Sequence, residues 1–536
     1  MTAAVSAALA PPKRAKANKW LITVSISFGT LMGAVDLSIV NVALPHMRGA
    51  VGASIREISW VSTAYAVALV VVMPLTAFLG RQFGQKRVYM VCLAAFLLGS
   101  TLCGIAGSLT ALVICRALQG LGAGALQPTE QAILRQTFPP EEQGMAMALF
   151  AMAVMLGPAL GPTLGGYIVD HWHWSWIFFI NVPIGLLGLF MVGAFVEEDE
   201  EIRLANQELA ERQRKNMDWA GIVLLTVGLT ATEYFLEEGA SNDWFQSRLI
   251  ATCFAVGFGS LIAFVVRELT APAPVVNLRL FKDPVFASGT LIGGVMFAML
   301  MASMFLLPIF MQELLGFTAT QSGIALMPRM LVMMLCMPIV GRIYNHVSPR
   351  IMIAFGISLI ALGSWQMGEL TLQSDSHDII AAIAVQGVGF ACLFVPLTTV
   401  ALSKIPRHLM ADATGLNSLI RQVGGAVGLA IFATLLGTYT SDARAGLAAH
   451  LNPENPLVAT QFSAMQHGLM RHGADWQHAY EGALRMLNGR VMGQSMVLAF
   501  DKLFVLSGVL FLGVLPLLFF LKGGPRGKAS APALEH

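Results

Sequence analysis

The chain is 536 residues long, 56% hydrophobic and only 12% charged, with a mean hydropathy of +0.69. Soluble domains are about 45–50% apolar and about 25% charged, so a water-soluble fold of this size has too little polar surface to cover what this chain carries. The net charge of +2 sits in loops and ends, with no basic stripe for nucleic acid. Cys92, Cys103, Cys115, Cys253, Cys336 and Cys392 all fall in apolar stretches without CxxC spacing, which reads as small buried hydrophobes and not as disulfides or metal ligands.

In chain order, Met1 to Lys19 is Ala-rich and basic, and the apolar stretch behind it contains Asp36. At about 24 residues that stretch exceeds a signal-peptide core of about 7–15, so it is expected to remain as the first span. The final Leu534-Glu535-His536 resembles a vector scar and is set aside. Apolar blocks follow near 20–44, 58–79, 88–108, 111–133, 145–168, 177–196, 219–236, 249–266, 287–311, 323–341, 351–371, 379–402, 415–439 and 497–521. Each has the roughly 20 residues that cross a hydrocarbon core as a helix. Backbone groups find no water in lipid, and the period-two segments of a β-barrel are missing, so about 14 transmembrane helices are predicted in an all-α membrane protein.

Loop cations orient the spans. If Lys13, Arg14, Lys16 and Lys19 are cytoplasmic, the same side collects Arg81, Lys86 and Arg87, then Arg135, then Arg203, Arg212, Arg214 and Lys215. Arg279, Lys282, Arg342, Arg350, Lys404, Arg407, Lys522, Arg526 and Lys528 join them, whereas the intervening short loops carry only Arg48, Arg56 and Arg248. This positive-inside pattern predicts a multi-pass protein of the cell inner membrane.

The predicted organisation is a cytoplasmic tail (1–19), an N-terminal six-helix half (20–196), a cytoplasmic linker of mixed charge (197–218) that reads most simply as a solvated helix joining the halves, two extra transmembrane helices (219–266), a C-terminal six-helix half (287–521) with an external loop (441–495), and a second cytoplasmic tail (522–536). The external loop alternates apolar and polar residues at helical spacing. It reads either as an amphipathic hairpin lying on the outer membrane face or as a docking surface for a periplasmic partner. The halves repeat: Gln119-Gly120-Leu121-Gly122, Pro128 and Phe138-Pro139 are echoed by Gln386-Gly387-Val388-Gly389, Pro396 and Ile405-Pro406. Duplicated halves with a site between them are a transporter signature.

Charges inside spans cost about 2.5–3.5 kcal/mol each unless partnered or hydrated, and they point to function. Asp36 and Arg116 lie about 12 Å and about 8 Å from the outer ends of spans 1 and 4 at 1.5 Å per residue, near enough in depth to pair. Burial favours a protonated carboxylate and a guanidinium favours an ionised one, so such a pair can load and release a proton as access alternates. Glu130, near the inner end of span 4, reads either as a second vestibule carboxylate or as a group snorkelling to the interface. Arg329 and Arg421 are open between the same alternatives, and Glu233 and Asp501, near outer ends, are expected to be solvated. The methionines between Met296 and Met337 suit an adaptable greasy wall or plain apolar span.

Span 5 carries Gly157, Pro158, Gly161, Pro162, Gly165 and Gly166. Glycines four apart permit close helix approach, and the prolines remove backbone hydrogen bonds. This GPxxGPxxGG run resembles the antiporter motif of the major facilitator superfamily. Its usual leading glycine matches Gly144, with Ala153 replacing the intermediate one. Arg116 to Gly122, with Arg116, Gln119, Gly120 and Gly122, resembles that superfamily's fourth-helix motif, and Asp36 to Pro45 its first-helix motif. With His173 to Pro183, the chain is similar over nearly its whole length to the fourteen-span drug:proton antiporters of EmrB/QacA type, nearer the EmrB side for its long outer loop.

The loop motif after span 2 departs from that pattern. Gly84, Lys86 and Arg87 fit, but Arg81 stands where the family usually has Asp, which puts the family's carboxylate latch in doubt and suggests that Arg81 caps a helix end or meets anionic lipid.

The resemblance implies proton-coupled efflux of amphipathic toxic compounds, antibiotics among them, with Asp36 carrying the proton, Arg116 tuning it and Glu130 as a second coupling candidate. It implies the proton gradient in place of any cofactor or metal, and a periplasmic adaptor and outer-membrane channel as partners. Export of a specific metabolite, fatty acid or siderophore is the nearest alternative. A membrane enzyme is disfavoured because no nucleophile constellation, metal cluster or phosphate loop is legible. A non-transporting sensor is the remaining alternative.

Overall fold

A computed structural model describes residues 18–521 apart from 199, 216, 453 and 454, and the regular structure of these residues is helical. Lys13, Arg14, Lys16 and the rest of both terminal tails, except Asn18 and Lys19, lie outside the described residues. Among the described residues 14 helices are long and apolar enough to cross a membrane, as the sequence predicted.

Helix α1 (Lys19–Val51) begins at what is here termed the N-terminal face. α2 (Ile55–Phe83) returns to it, opened by a reciprocal Ser54–Glu57 capping box. Gly84, at φ +89°, turns the chain directly into α3 (Gln85–Gly104). The fourth span is α4 (Leu109–Gly124) and α5 (Leu126–Thr137), and the fifth is α6 (Gln143–His171), continuous through Pro158 and Pro162. A short α7 (Trp176–Phe179) leads into α8 (Asn181–Phe195). The linker contains α9 (Glu200–Lys215), and the two extra spans are α10 (Trp219–Glu238) and α11 (Arg248–Thr270). The second half holds α12 (Pro284–Ile309), α13 (Ala319–Ile343), α14 (Pro349–Met367), α15 (Ser376–Ala401), α16 (Met410–Ala449), α17 (Pro456–Arg471) and α18 (Trp476–Gly513).

Packing repeats between the halves. α1 lies on α6 as α12 lies on α16, α2 on α4 as α13 on α15, and α3 on α4 as α14 on α15. The sequence echo marks equivalent contacts: a Cβ on Gly120 would overlap the Tyr65 carbonyl of α2, and one on Gly387 would come within 2.7 Å of the Arg329 carbonyl of α13. The halves meet where α6 packs on α13 and α2 on α16, and α10 and α11 pair beside the second seam.

Three expectations need correction. The first concerns the outer loop. α16 and α18 do not stop at the predicted ends of spans 13 and 14. With 40 and 38 residues they reach about 60 Å and 57 Å at 1.5 Å per residue, about twice a bilayer core. The 441–449 stretch, Ser-Asp-Ala-Arg-Ala-Gly-Leu-Ala-Ala, holds mostly good helix formers, so the helix runs on past the end of its apolar block. α17 packs back on α18 through Phe462 and Tyr480, and Arg444 donates to Asn488 Oδ1 at 3.1 Å, tying the extensions together. The 441–495 segment therefore forms a three-helix projection that continues α16 and α18 beyond their apolar blocks.

Second, Glu233 is not solvated: it is 3% exposed, because α10 turns that face toward its neighbours. Asp501 is half-buried with Oδ1 shielded, since it sits well inside the long α18. Third, the linker helix is not simply solvated. Gln213 is 2% exposed and donates to the Pro274 carbonyl at 2.7 Å, docking α9 against the bundle.

Candidate functional site

Asp36 is completely buried on α1, and two other helices supply its three donors. Arg116 Nη1 on α4 donates to Oδ2 at 2.5 Å, Gln119 Nε2 on the same helix to Oδ1 at 2.8 Å, and Asn181 Nδ2 at the start of α8 to Oδ1 at 3.3 Å. Arg116 is 1% exposed; its Nε donates to the Val61 carbonyl at 3.1 Å, Nη1 also reaches Gln119 Oε1 at 2.8 Å, and the guanidinium lies 4.2 Å from the Tyr65 ring centroid. Both carboxylate oxygens and the Nε and Nη1 groups of the guanidinium are thus hydrogen-bonded, which offsets the cost of burying the ion pair. α1 runs on past the apolar block through Pro45 to Val51, so Asp36 lies about 22 Å from the far end of the helix at 1.5 Å per residue.

Asn181 is the residue that sequence reasoning missed. It is 2% exposed and also donates to Ser100 Oγ at 3.1 Å, which in turn donates to the Phe178 carbonyl at 2.9 Å. Its one signal was a polar amide inside the aromatic run from Trp176 to Pro183.

The span 5 glycines divide between two partners. A Cβ on Gly157 would overlap the Ala34 backbone, one on Gly161 would overlap the Ser38 hydroxyl, and one on Gly165 would lie 2.9 Å from Ile39 Cγ1. These α1 residues bracket Asp36, and Ser38 Oγ donates to the Gly157 carbonyl at 2.9 Å. Gly144 instead meets the other half, where a Cβ would approach the Gly341 carbonyl of α13 to 2.8 Å. Pro158 and Pro162 are half-buried, with Pro162 near Gly323 of α13, and a Cβ on Gly166 would meet open space. Gly161→Leu is therefore expected to abolish transport while the protein still inserts, because the branched side chain must displace α1 at the turn that carries Asp36. Transport assays on expression-matched membranes check this; wild-type rates would remove this face of α6 from the mechanism.

Glu130 on α5 is 0% exposed and does not snorkel. Its Oε1 accepts from Ser27 Oγ at 2.9 Å, and Oε2 has no hydrogen-bond partner. Ser27 is nine residues before Asp36, so the two carboxylates are spaced about 14 Å along one helix at 1.5 Å per residue. They are not brought together.

Arg81 neither caps a helix end nor faces lipid. Its side chain is 4% exposed, Nη1 pairs at 2.5 Å with Oδ2 of Asp412 at the start of α16, Nε donates to Gln213 Oε1 at 3.2 Å, and Nη2 reaches the Val275 carbonyl at 3.3 Å. An ion pair between the halves is present, with the last turn of α2 supplying the cation and α16 the carboxylate. Arg135 Nη2 to the Thr399 carbonyl (3.0 Å), Gln136 to the Arg407 carbonyl (3.2 Å) and Asn345 to the Glu141 carbonyl (2.5 Å) join the halves at the same N-terminal face. Of the other loop-motif residues, Lys86 donates its backbone N–H to Glu198 at 3.0 Å and its ammonium to the Gly193 carbonyl at 2.9 Å, Gly84 leaves room for the Glu198 carboxylate, and Arg87 is exposed.

A cavity of about 560 Å³ opens beside the seam, walled by Pro74, Leu225, Phe264, Phe281, Leu416 and Ile420 and flanked by Arg279 and Lys282. Apolar walls with a cationic edge suit an amphipathic molecule.

Residues 26–429 match the model of the Major Facilitator Superfamily. The chain belongs to this superfamily. It is 35% identical to the multidrug export protein EmrB of Haemophilus influenzae, covering 94% of this chain and 95% of that one. The EmrB of Escherichia coli K12 is 31% identical (95% and 97% covered), and the fatty acid resistance protein FarB of Neisseria gonorrhoeae is 32% identical (96% and 97% covered). Among solved structures, the proton:xylose symporter XylE is similar in fold, with a TM-score of 0.58 at 13% identity over 92% of this chain and 95% of that one. The human organic anion transporter MFSD10 also scores 0.58 at 13% identity, covering 94% and 100%. The protein is a multi-pass membrane transporter of EmrB type, with two six-helix halves and two extra central helices.

Proposed function

We propose that this protein exports amphipathic toxic compounds across the inner membrane in exchange for protons, with Asp36 as the proton-carrying group, Arg116 and Gln119 as its tuning partners and Glu130 as a second carboxylate on the route. The observation that carries this reading is the buried Asp36–Arg116 pair, set on the one stretch of α1 that the α6 glycines grip. A helix contact that closes on glycine can slide or rock without repacking bulky side chains, and water reaching Asp36 from alternate sides would exchange its proton. That one relative is named a fatty acid resistance protein beside two named multidrug export proteins supports including fatty acids among the candidate cargo.

The proposed orientation puts the N-terminal face in the cytoplasm, in keeping with the loop cations. The three-helix projection then stands in the periplasm. It exposes Leu457 (74%), Trp476 (64%) and Leu484 (52%), an apolar surface that suits a periplasmic adaptor leading to an outer-membrane channel. The test is reconstitution: proteoliposomes with an imposed proton gradient should drive accumulation of an amphipathic dye and lose it when the gradient is collapsed. Gradient-independent dye movement would overturn the antiport reading.

A further inference from the structure

The N-terminal half balances its deep guanidinium with a carboxylate, whereas the C-terminal half does not. Arg329 on α13 is 0% exposed. Its Nη2 donates to Ser303 Oγ at 3.0 Å and Gln386 Oε1 at 2.9 Å, both neutral, while Nε and Nη1 have no acceptor. Arg421 on α16 is 3% exposed, with Nε and Nη1 likewise unpartnered and its guanidinium 5.4 Å from the Phe297 ring and 5.1 Å from the Phe394 ring. Among the described residues neither arginine has an ion-pair partner. Gln386 is the repeat equivalent of Gln119 and likewise accepts from a guanidinium, but Ile383 stands where Arg116 would be and the arginine comes from α13, the counterpart of α2, with no acid beside it.

The two guanidiniums share walls. Arg329 touches α12 at Ser303 and α15 at Gln386, and Arg421 touches the same helices at Phe297 and Phe394. Six residues along α12 and eight along α15 separate these contacts, about 9 and 12 Å at 1.5 Å per residue, so the cations are stacked about 10 Å apart along the bundle. A buried cation with free donors is costly in a membrane interior and marks an ion or substrate path. The donors left open on each guanidinium, on Nε and on Nη1, point from different edges of the plane, so a carboxylate oxygen at either edge would gain a charge-assisted hydrogen bond as well as the neutralising charge. The phenylalanine rings beside Arg421 supply an apolar flank for a chain attached to that head.

We propose that Arg329 and Arg421 are two successive stations for the carboxylate of an amphipathic anionic cargo, Arg421 toward the N-terminal face and Arg329 toward the opposite one. This deepens the export reading and rests on it. The carboxylate supplies the missing acid of the second half, and transfer between stations moves it across the middle of the membrane.

The experiment uses the full-length protein in nanodiscs, with dodecanoate and its uncharged methyl ester as probes, and proteoliposomes for transport. Wild-type protein should bind dodecanoate at least tenfold more tightly than the ester. Arg421→Gln and Arg329→Gln should each raise the dodecanoate Kd at least tenfold, leave ester binding unchanged and not lower Tm, because each removes an unpaired buried charge. Dodecanoate should also compete with dye efflux in the wild type. Equal binding of acid and ester by wild-type protein overturns the proposal without recourse to any variant. Parallel loss of acid and ester binding in both variants, with lowered Tm, also overturns it, by making the arginines structural. If gradient-driven dye efflux is present but dodecanoate neither binds nor competes, the anion stations fail and the exporter stands; if no cargo moves with the gradient, the export reading itself fails.

Discussion

Replacing Asp36 with asparagine is expected to leave a folded protein whose gradient-driven efflux falls to background. The substitution is near-isosteric, so the shape of the site survives. Arg116 retains the Val61 carbonyl, Gln119 Oε1 and the Tyr65 ring, and the side-chain amide can turn its oxygen toward the guanidinium. Removing one member of a buried pair costs about 3–5 kcal/mol, which predicts a lower Tm but not failure to insert. What disappears is the titratable group. One elementary charge moved across the membrane is worth about 2.3 kcal/mol per 100 mV, and a carrier that cannot load the proton has no access to that energy. Downhill exchange of labelled for unlabelled cargo should persist, because it needs no proton. The measurement is cargo-induced proton release from proteoliposomes. If Asp36→Asn exchanges protons for cargo at the wild-type ratio, the coupling carboxylate lies elsewhere, and Glu130, buried with Oε2 unpartnered, is the next residue to replace.

The spans were legible because insertion into lipid demands long apolar blocks, and the pairing of Asp36 with Arg116 was legible because two charges at compatible depth in neighbouring spans have few other partners. Helix ends were harder to read. Hydropathy marks where lipid ends, not where a helix ends, so the extensions of α1, α16 and α18 into polar sequence left no apolar signal. Asn181 was obscured because one neutral amide in a hydrophobic run costs too little to stand out. Glu233 was misplaced because nearness to a span end says nothing about which face a residue turns to its neighbours. The Arg81–Asp412 pair joins residues 331 apart. No local pattern links them, and the departure from the family motif at Arg81 could be seen in sequence while its compensation at Asp412 could not.

That compensation gives the second large expected effect. Arg81→Ala and Asp412→Asn should each unseal the N-terminal face and impair export, and the exchange Arg81→Asp with Asp412→Arg should restore much of both. The pair is buried, with side chains 4% and 1% exposed, and it spans the seam. It can form only while the halves are closed at this face. Deleting Arg81 leaves Asp412 buried without its cation in the closed state, a penalty relieved when opening admits water, so the equilibrium moves toward opening. A bias of about 3 kcal/mol, the lower end for a broken buried pair, corresponds to a population change on the order of a hundredfold. Thr399, 2% exposed and bonded through its carbonyl to Arg135 at the same seam, offers a reporter position. Thr399→Cys in a background lacking the six native cysteines should label slowly with an impermeant maleimide in inside-out vesicles, and at least tenfold faster in either single variant. The exchanged pair should label slowly again, though less so than the wild type, because Gln213 Oε1 and the Val275 carbonyl lose the Arg81 donors. Labelling and export at wild-type rates in both single variants would make the pair a passive contact. Impaired single variants that the exchange fails to rescue would place the work of Arg81 in its hydrogen bonds to the α9 linker and to Val275, and not in its charge.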